Sequence, residues 1–164
     1  MADNVAVLRD GTVAQHAAPS ELYAGPIDHQ LASFIGAANL IDGRLEPSSR
    51  NGETTWYVRT ALGRLPARCN GKMPADPCAV MVLIRPEQIT VATPSDGDGP
   101  LARVLSRGFH GHDTVLNVQL TQDHEAQPLL VRALGSPPLA PGDRCTVTCT
   151  GTALVWAPES QQAG

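Results

Sequence analysis

The apolar positions of this chain fall into short runs separated by turn residues, and that rhythm predicts strands for most of its length. Val5-Ala6-Val7-Leu8 is the first run, and Asp10-Gly11 follows it. Asp-Gly between apolar segments is a strong hairpin signal, with Thr12–His16 as the return strand. Pro19-Ser20-Glu21-Leu22-Tyr23 opens with Pro and carries an early Glu, which suits the first turn of a helix ending at Gly25-Pro26. Asp28 is placed to cap a second helix, in which Leu31, Phe34 and Ile35 recur at helical spacing. Gly36 is expected to close that helix as a C-terminal cap. Tyr23 and Phe34 read as core anchors.

From Asn39 onward the pattern changes to strands and turns. Leu40–Leu45 and Thr54–Thr60 are candidate strands. Ala79–Ile84 is apolar on both faces, so it reads as a central strand. Arg85-Pro86-Glu87 stops it, because Pro cannot donate to a ladder. Ile89–Ala92, Leu101–Phe109, Thr114–Leu120, Leu129–Ala133, Cys145–Cys149 and Ala153–Trp156 complete the set. Loops fall at 94–100 and 137–143. Regularly spaced short strands predict a mainly β fold, a small barrel or sandwich, preceded by one hairpin and two short helices. Residues 159–164 are expected to form a disordered tail.

Composition sharpens this reading. Among 164 residues, 15 Gly and 14 Pro exclude a helix bundle. Aromatics make up only 4%, so Val, Leu, Ile and Ala must fill the core. The net charge of −4 argues against a nucleic-acid partner. No run approaches the ~20 apolar residues of a membrane span. The start Met1-Ala2-Asp3-Asn4 lacks the features of a signal peptide, so a cytoplasmic location is expected. Lys72 is the single lysine among 12 basic residues. Cys69, Cys78, Cys145 and Cys149 form no CxxC pair and read as reduced, partly buried thiols.

A family resemblance rests on an ordered set of motifs. Val5–Gly11, Gln15 and Pro19–Tyr23 resemble the end of the ATPase domain of importer-type ABC transporters. Ala32-Ser33-Phe34-Ile35-Gly36, followed by Asn39-Leu40, is similar to the linker leaving that domain. Val82-Leu83-Ile84-Arg85-Pro86-Glu87-Gln88-Ile89 resembles the signature of the transport-associated OB domain, TOBE, and Gly142-Asp143 with Val155-Trp156 is similar to its close. The Phe-Ile-Gly-x-x-Asn linker most resembles the iron(III) and polyamine importers. The resemblance implies a remnant of the ATPase domain over 1–36 and an OB-like TOBE barrel over 37–158. It implies an accessory and regulatory role that supports ATPase dimerisation, with the permease and ATPase core as partners at the inner face of the membrane. It also implies that ATP and Mg²⁺ belong to the full-length subunit, with no cofactor in this chain. Ala17 departs from the Gly usual in the family near that point.

Catalytic motifs are not read here. A phosphate loop needs Gly-x-x-x-x-Gly-Lys-Ser/Thr. Lys72 follows Gly71, but Pro66 and Met73 occupy the other required positions. Leu105-Ser106-Arg107-Gly108-Phe109 lacks the first Gly and the Gln of the ABC signature. The chain alone is therefore expected not to hydrolyse ATP. Interface or structural candidates are Arg85, Pro86, Glu87, Gly36, Asn39 and Trp156. The simplest reading of the Pro86 corner pairs Arg85 with Glu87. Arg103, Arg107 and the backbone at Gly108 could hold an oxyanion, the alternative function. His110-Gly111-His112-Asp113, with His124, carries metal-ligand chemistry but no third ligand at a defined spacing, so a solvated turn is expected. The hairpin over Val5–His16 exposes a strand edge, which predicts a homodimer with the first 35 residues swapped or loosely held.

Overall fold

In a computed structural model, residues 3–50, 53–94 and 99–157 are described. The chain is mainly β, with an OB-like closed barrel. Among the described residues, strands β1 (Val5–Arg9) and β2 (Thr12–Ala17) pair only with each other. Asp10 and Gly11 join them with φ of 51° and 76°, the two left-handed turn residues a tight hairpin requires. Helices α1 (Pro19–Ala24) and α2 (His29–Ile35) follow. Asp28 caps α2 by accepting from the Leu31 amide at 2.8 Å.

Five strands then close a barrel in the order β12-β5-β4-β3-β6. They are β3 (Asn39–Arg50), β4 (Glu53–Thr60), β5 (Gly63–Arg68), β6 (Ala79–Ile84) and β12 (Ala153–Trp156). Strand β3 pairs with β6 over Asn39–Arg44 and with β4 over Arg44–Arg50, so it changes partners midway. Gly43 sits at the change. A Cβ there would lie 2.6 Å from Cγ2 of both Val58 and Val82, so the strand bends into the barrel only because the position is bare.

The sequence pattern misses β5, because Gly63 and Pro66 both read as breakers. Pro66 is tolerated because the parallel ladder to β12 starts one residue later, at Ala67. Strand β12 closes the barrel by also pairing antiparallel with β6.

A second sheet has the order β10-β9-β8-β11-β7. Its strands are β7 (Ile89–Ala92), β8 (Leu101–Phe109), β9 (Asp113–Leu120), β10 (Leu129–Leu134) and β11 (Arg144–Cys149). The chain crosses from barrel to sheet through a 3-10 turn, Pro86–Gln88, and returns between β11 and β12. One apolar cluster spans both sheets, from Leu45, Val58 and Val82 to Val104, Leu116 and Val147. A smaller cluster seats Ala32 of α2 on Leu83 and Leu154.

Phe34 is 77% exposed, contrary to the core role its spacing suggests. Helix α2 has only seven residues and buries Leu31 and Ala32. Phe34 lies about 200° around the helix from Ala32, on the opposite side. The tail expected over 159–164 lies outside the described residues.

Candidate functional site

Arg85 leaves β6 just as the chain crosses between sheets, and its side chain turns back under the helices. The guanidinium is buried and donates to four backbone carbonyls. Nη1 reaches the oxygens of Ala32 at 3.0 Å, Gly36 at 3.3 Å and Ala37 at 3.0 Å, and Nη2 reaches that of Tyr23 at 2.9 Å. The same group lies 4.0 Å over the Tyr23 ring. Burial pulls the Arg85 pKa below the ordinary arginine value. Four carbonyl dipoles and an aromatic face compensate the lost hydration.

The expected Arg85–Glu87 pair does not form. Glu87 instead accepts from the Tyr23 hydroxyl at 2.7 Å, because the 3-10 turn carries its carboxylate outward towards α1. Burial, and then the bond to Glu87, push the Tyr23 hydroxyl above its usual pKa. Pro86 is buried and starts the turn.

Gln88 finishes the clasp. Its Oε1 accepts from the Arg85 amide at 2.9 Å, and its Nε2 donates to the oxygens of Thr150 and Thr152 at 3.2 and 3.4 Å. It thereby ties the outward crossover to the returning one.

Gly36 and Asn39 belong to the same assembly. Gly36 ends α2 in extended backbone (φ −177°), not as a left-handed cap. It is small for another reason: a Cβ there would lie 2.9 Å from Cε2 of Tyr23. Asn39 is buried and exchanges two hydrogen bonds with the backbone of Leu130, at 2.8 and 2.7 Å. It clips β3 to β10. The hairpin also docks on this region. Arg9 pairs with Asp28 at 2.8 Å, and Gln15 bridges the Gly25 oxygen and the Ile27 amide. Burial alone would raise the Asp28 pKa, but hydrogen bonds from Arg9 and the Leu31 amide hold it below the usual carboxylate range.

The other candidates lie elsewhere. Trp156 is half-buried, edge-on to His29 at 6.5 Å, and lines a cavity of about 530 Å³ with Asp28, Asp42 and Met81. Arg103 donates to the Gly142 oxygen at 3.1 Å, whereas Arg107 bonds the Ser136 hydroxyl, so the two guanidinium groups are held by different loops. Gly108 lies opposite Val115 in the sheet. Asp113 is buried and bonded to Arg132, with His112 Nε2 3.6 Å away, which gives this carboxylate an ion-pair role. The sequence alone does not mark the roles of Tyr23 and Gln88; their only signal is their place in the Pro19–Tyr23 and Val82–Ile89 motifs.

A family model described as the TOBE domain matches residues 82–156. The Fe(3+) ions import ATP-binding protein FbpC 2 of Rhodococcus jostii is 35% identical over 157 residues, 94% of this chain. The FbpC of Pseudomonas fluorescens is 34% identical over 158 residues, 95% of this chain. The spermidine/putrescine import ATP-binding protein PotA of Marinobacter nauticus is 31% identical over 73% of this chain. The chain spans only 41% and 42% of the length of the two FbpC relatives. Among solved structures, the cytoplasmic molybdate-binding protein ModG superposes with a TM-score of 0.51 at 13% identity. That match covers 73% of this chain and 96% of ModG, a likeness of fold.

Proposed function

We propose that this chain, which carries a TOBE domain and belongs with the ATP-binding subunits of ABC importers, works as the accessory and regulatory module of such a subunit. The observation that carries the reading is the Arg85 clasp. It joins α1 and α2, the segment resembling the end of an ATPase domain, to both crossovers of the β domain. A displacement of the helices is thereby transmitted to the barrel, and the reverse. In this reading ATP hydrolysis belongs to the nucleotide-binding core, and the permease is the membrane partner. The chain works at the cytoplasmic face. Among the described residues no helix is long and apolar enough to cross a membrane.

The test is made in an ATP-binding subunit that contains this segment, assembled with its permease. Arg85→Gln should leave nucleotide binding intact and reduce transport-coupled turnover. Unchanged coupling would remove the reading. Dimerisation is tested separately by light scattering on the 164-residue chain. A dimer is expected, and a monomer at all concentrations would count against that part.

The ModG likeness favours a second reading, oxyanion binding. Calorimetry against molybdate, tungstate, sulfate and phosphate separates the two, because the accessory role predicts no heat from any of them.

A further inference from the structure

Three arginines stand in one row across the outer face of the barrel. The register sets Arg44 of β3 directly opposite Arg59 of β4, and Arg59 directly opposite Arg64 of β5. Their neighbours Leu45, Val58 and Leu65 occupy the next row and are buried. Strand alternation therefore turns the arginines outward, and all three are exposed. Neighbouring strands are ~4.8 Å apart, so the row is only ~10 Å wide. Like charges directly opposite each other weaken an antiparallel sheet, so folding gives no reason for the arrangement.

One carboxylate lies among them. Glu46 accepts from Arg59 Nε and Nη2 at 3.2 and 3.3 Å. Its carboxyl is held below the usual range, first by that hydrogen bond and then by the charges of Arg59, Arg64 and Arg44. All three cations therefore act on one spot. The Arg64 guanidinium lies 3.7 Å over the Tyr57 ring. Among the described residues neither Arg44 nor Arg64 has an ion-pair partner. With Glu46 included, the row is two positive charges in excess. Asp42, two residues before Arg44 on the same face, is opposite Met81 of β6, outside the row.

We propose that this face binds a compact oligophosphate, with the guanidinium groups of Arg44, Arg59 and Arg64 as its ligands. A guanidinium fork matches phosphate oxygens two at a time. Size is decided by the molecule as a whole. The chain carries a net charge of −4, which opposes a long polyanion such as nucleic acid or an acidic protein surface. Screening confines the field of the patch to about 8 Å at physiological salt. A ligand holding three or four negative charges within the width of the row fits inside that reach. This goes beyond the accessory role, since the row stands on strand register and is remote in sequence from the clasp.

The chain is titrated calorimetrically with inorganic tripolyphosphate and with adenosine triphosphate, at about 50 mM salt where screening is weak. One saturable site for tripolyphosphate is expected. Equal affinity for the nucleotide means that only the phosphate chain is read, whereas tighter nucleotide binding adds the base. The variant Arg44→Gln/Arg64→Gln should lose at least tenfold in affinity while its unfolding midpoint holds or rises. Arg44→Lys/Arg64→Lys, which keeps charge but not the fork, should fall between. Arg103→Gln/Arg107→Gln should bind like the parent. The proposal is overturned if neither polyphosphate binds, if the Gln variant binds as tightly as the parent, or if the Arg103/Arg107 variant loses as much.

Discussion

Arg85 holds a full positive charge below the surface with no ion-pair partner among the described residues, and its energetics follow from its four carbonyl acceptors. Removing the donors leaves buried oxygens unpaired, at about 1–3 kcal/mol for each one that water does not reach. Arg85→Met should therefore cost roughly 3 kcal/mol or more in urea unfolding. Arg85→Lys should recover only part, because a compact ammonium cannot span carbonyls on two helices. The motif Arg85-Pro86-Glu87 was legible in the sequence, but its partners were not. They are backbone oxygens, which every residue has, so side-chain identity does not mark them. Asp28 carries a pH dependence whose sign is fixed. Its folded-state pKa lies below the unfolded value, so between the two the unfolded chain binds more protons and stability rises with pH. That contribution is present above about pH 4 and is lost as pH falls through the lowered folded value. Arg9→Gln should flatten this acid limb, read from urea midpoints across the acid range. Burial raises the Cys149 thiol to about 11, so it should react slowly with a disulfide reagent at neutral pH and quickly after denaturation.

Elements were legible where period and punctuation agreed. The hairpin, the Asp28 cap and the apolar run of β6 each needed only local rules. Strand β5 was hidden because Pro66 and Gly63 argue locally for a loop, and only the barrel supplies the partners that overrule them. The end of α2 shows the same limit. Gly36 looked like a conformational cap, whereas the reason for its size is the Tyr23 ring on another helix. Asn39 belongs to this scale because it fastens one strand of the barrel to one strand of the sheet. Its amide makes two hydrogen bonds with the backbone N–H and C=O of one residue, Leu130, each worth about 1 kcal/mol net when buried. Asn39→Ala should then cost about 2 kcal/mol. Hydrogen exchange gives the diagnostic readout. The Leu130 amide should lose protection well beyond its neighbours in β10, and uniform loss along β10 would mean that the clip is not local.

Net charge, a whole-molecule quantity, concealed a local one. A chain at −4 gives no sign of three aligned arginines, because strand register brings together positions 44, 59 and 64 that composition treats as unrelated. The same step from list to arrangement governs cooperativity. The barrel and the second sheet could be read as two folding units, since each has five strands and its own ladder. Three features oppose that reading: the chain crosses between them twice, Gln88 ties the two crossovers, and one apolar cluster runs through both. A continuous core makes loss of either sheet expose the apolar face of the other, so the two should unfold together. The two tryptophans make this measurable. Trp56 lies in β4 and Trp156 in β12, both barrel strands, so indole fluorescence reports the barrel alone. Far-ultraviolet circular dichroism reports all twelve strands of the described residues. Urea transitions followed by the two probes should coincide within error, with a common midpoint and slope. A dichroism curve with a second transition absent from fluorescence would divide the molecule into two domains, and the clasp would then be a contact between them and not part of a single folding unit.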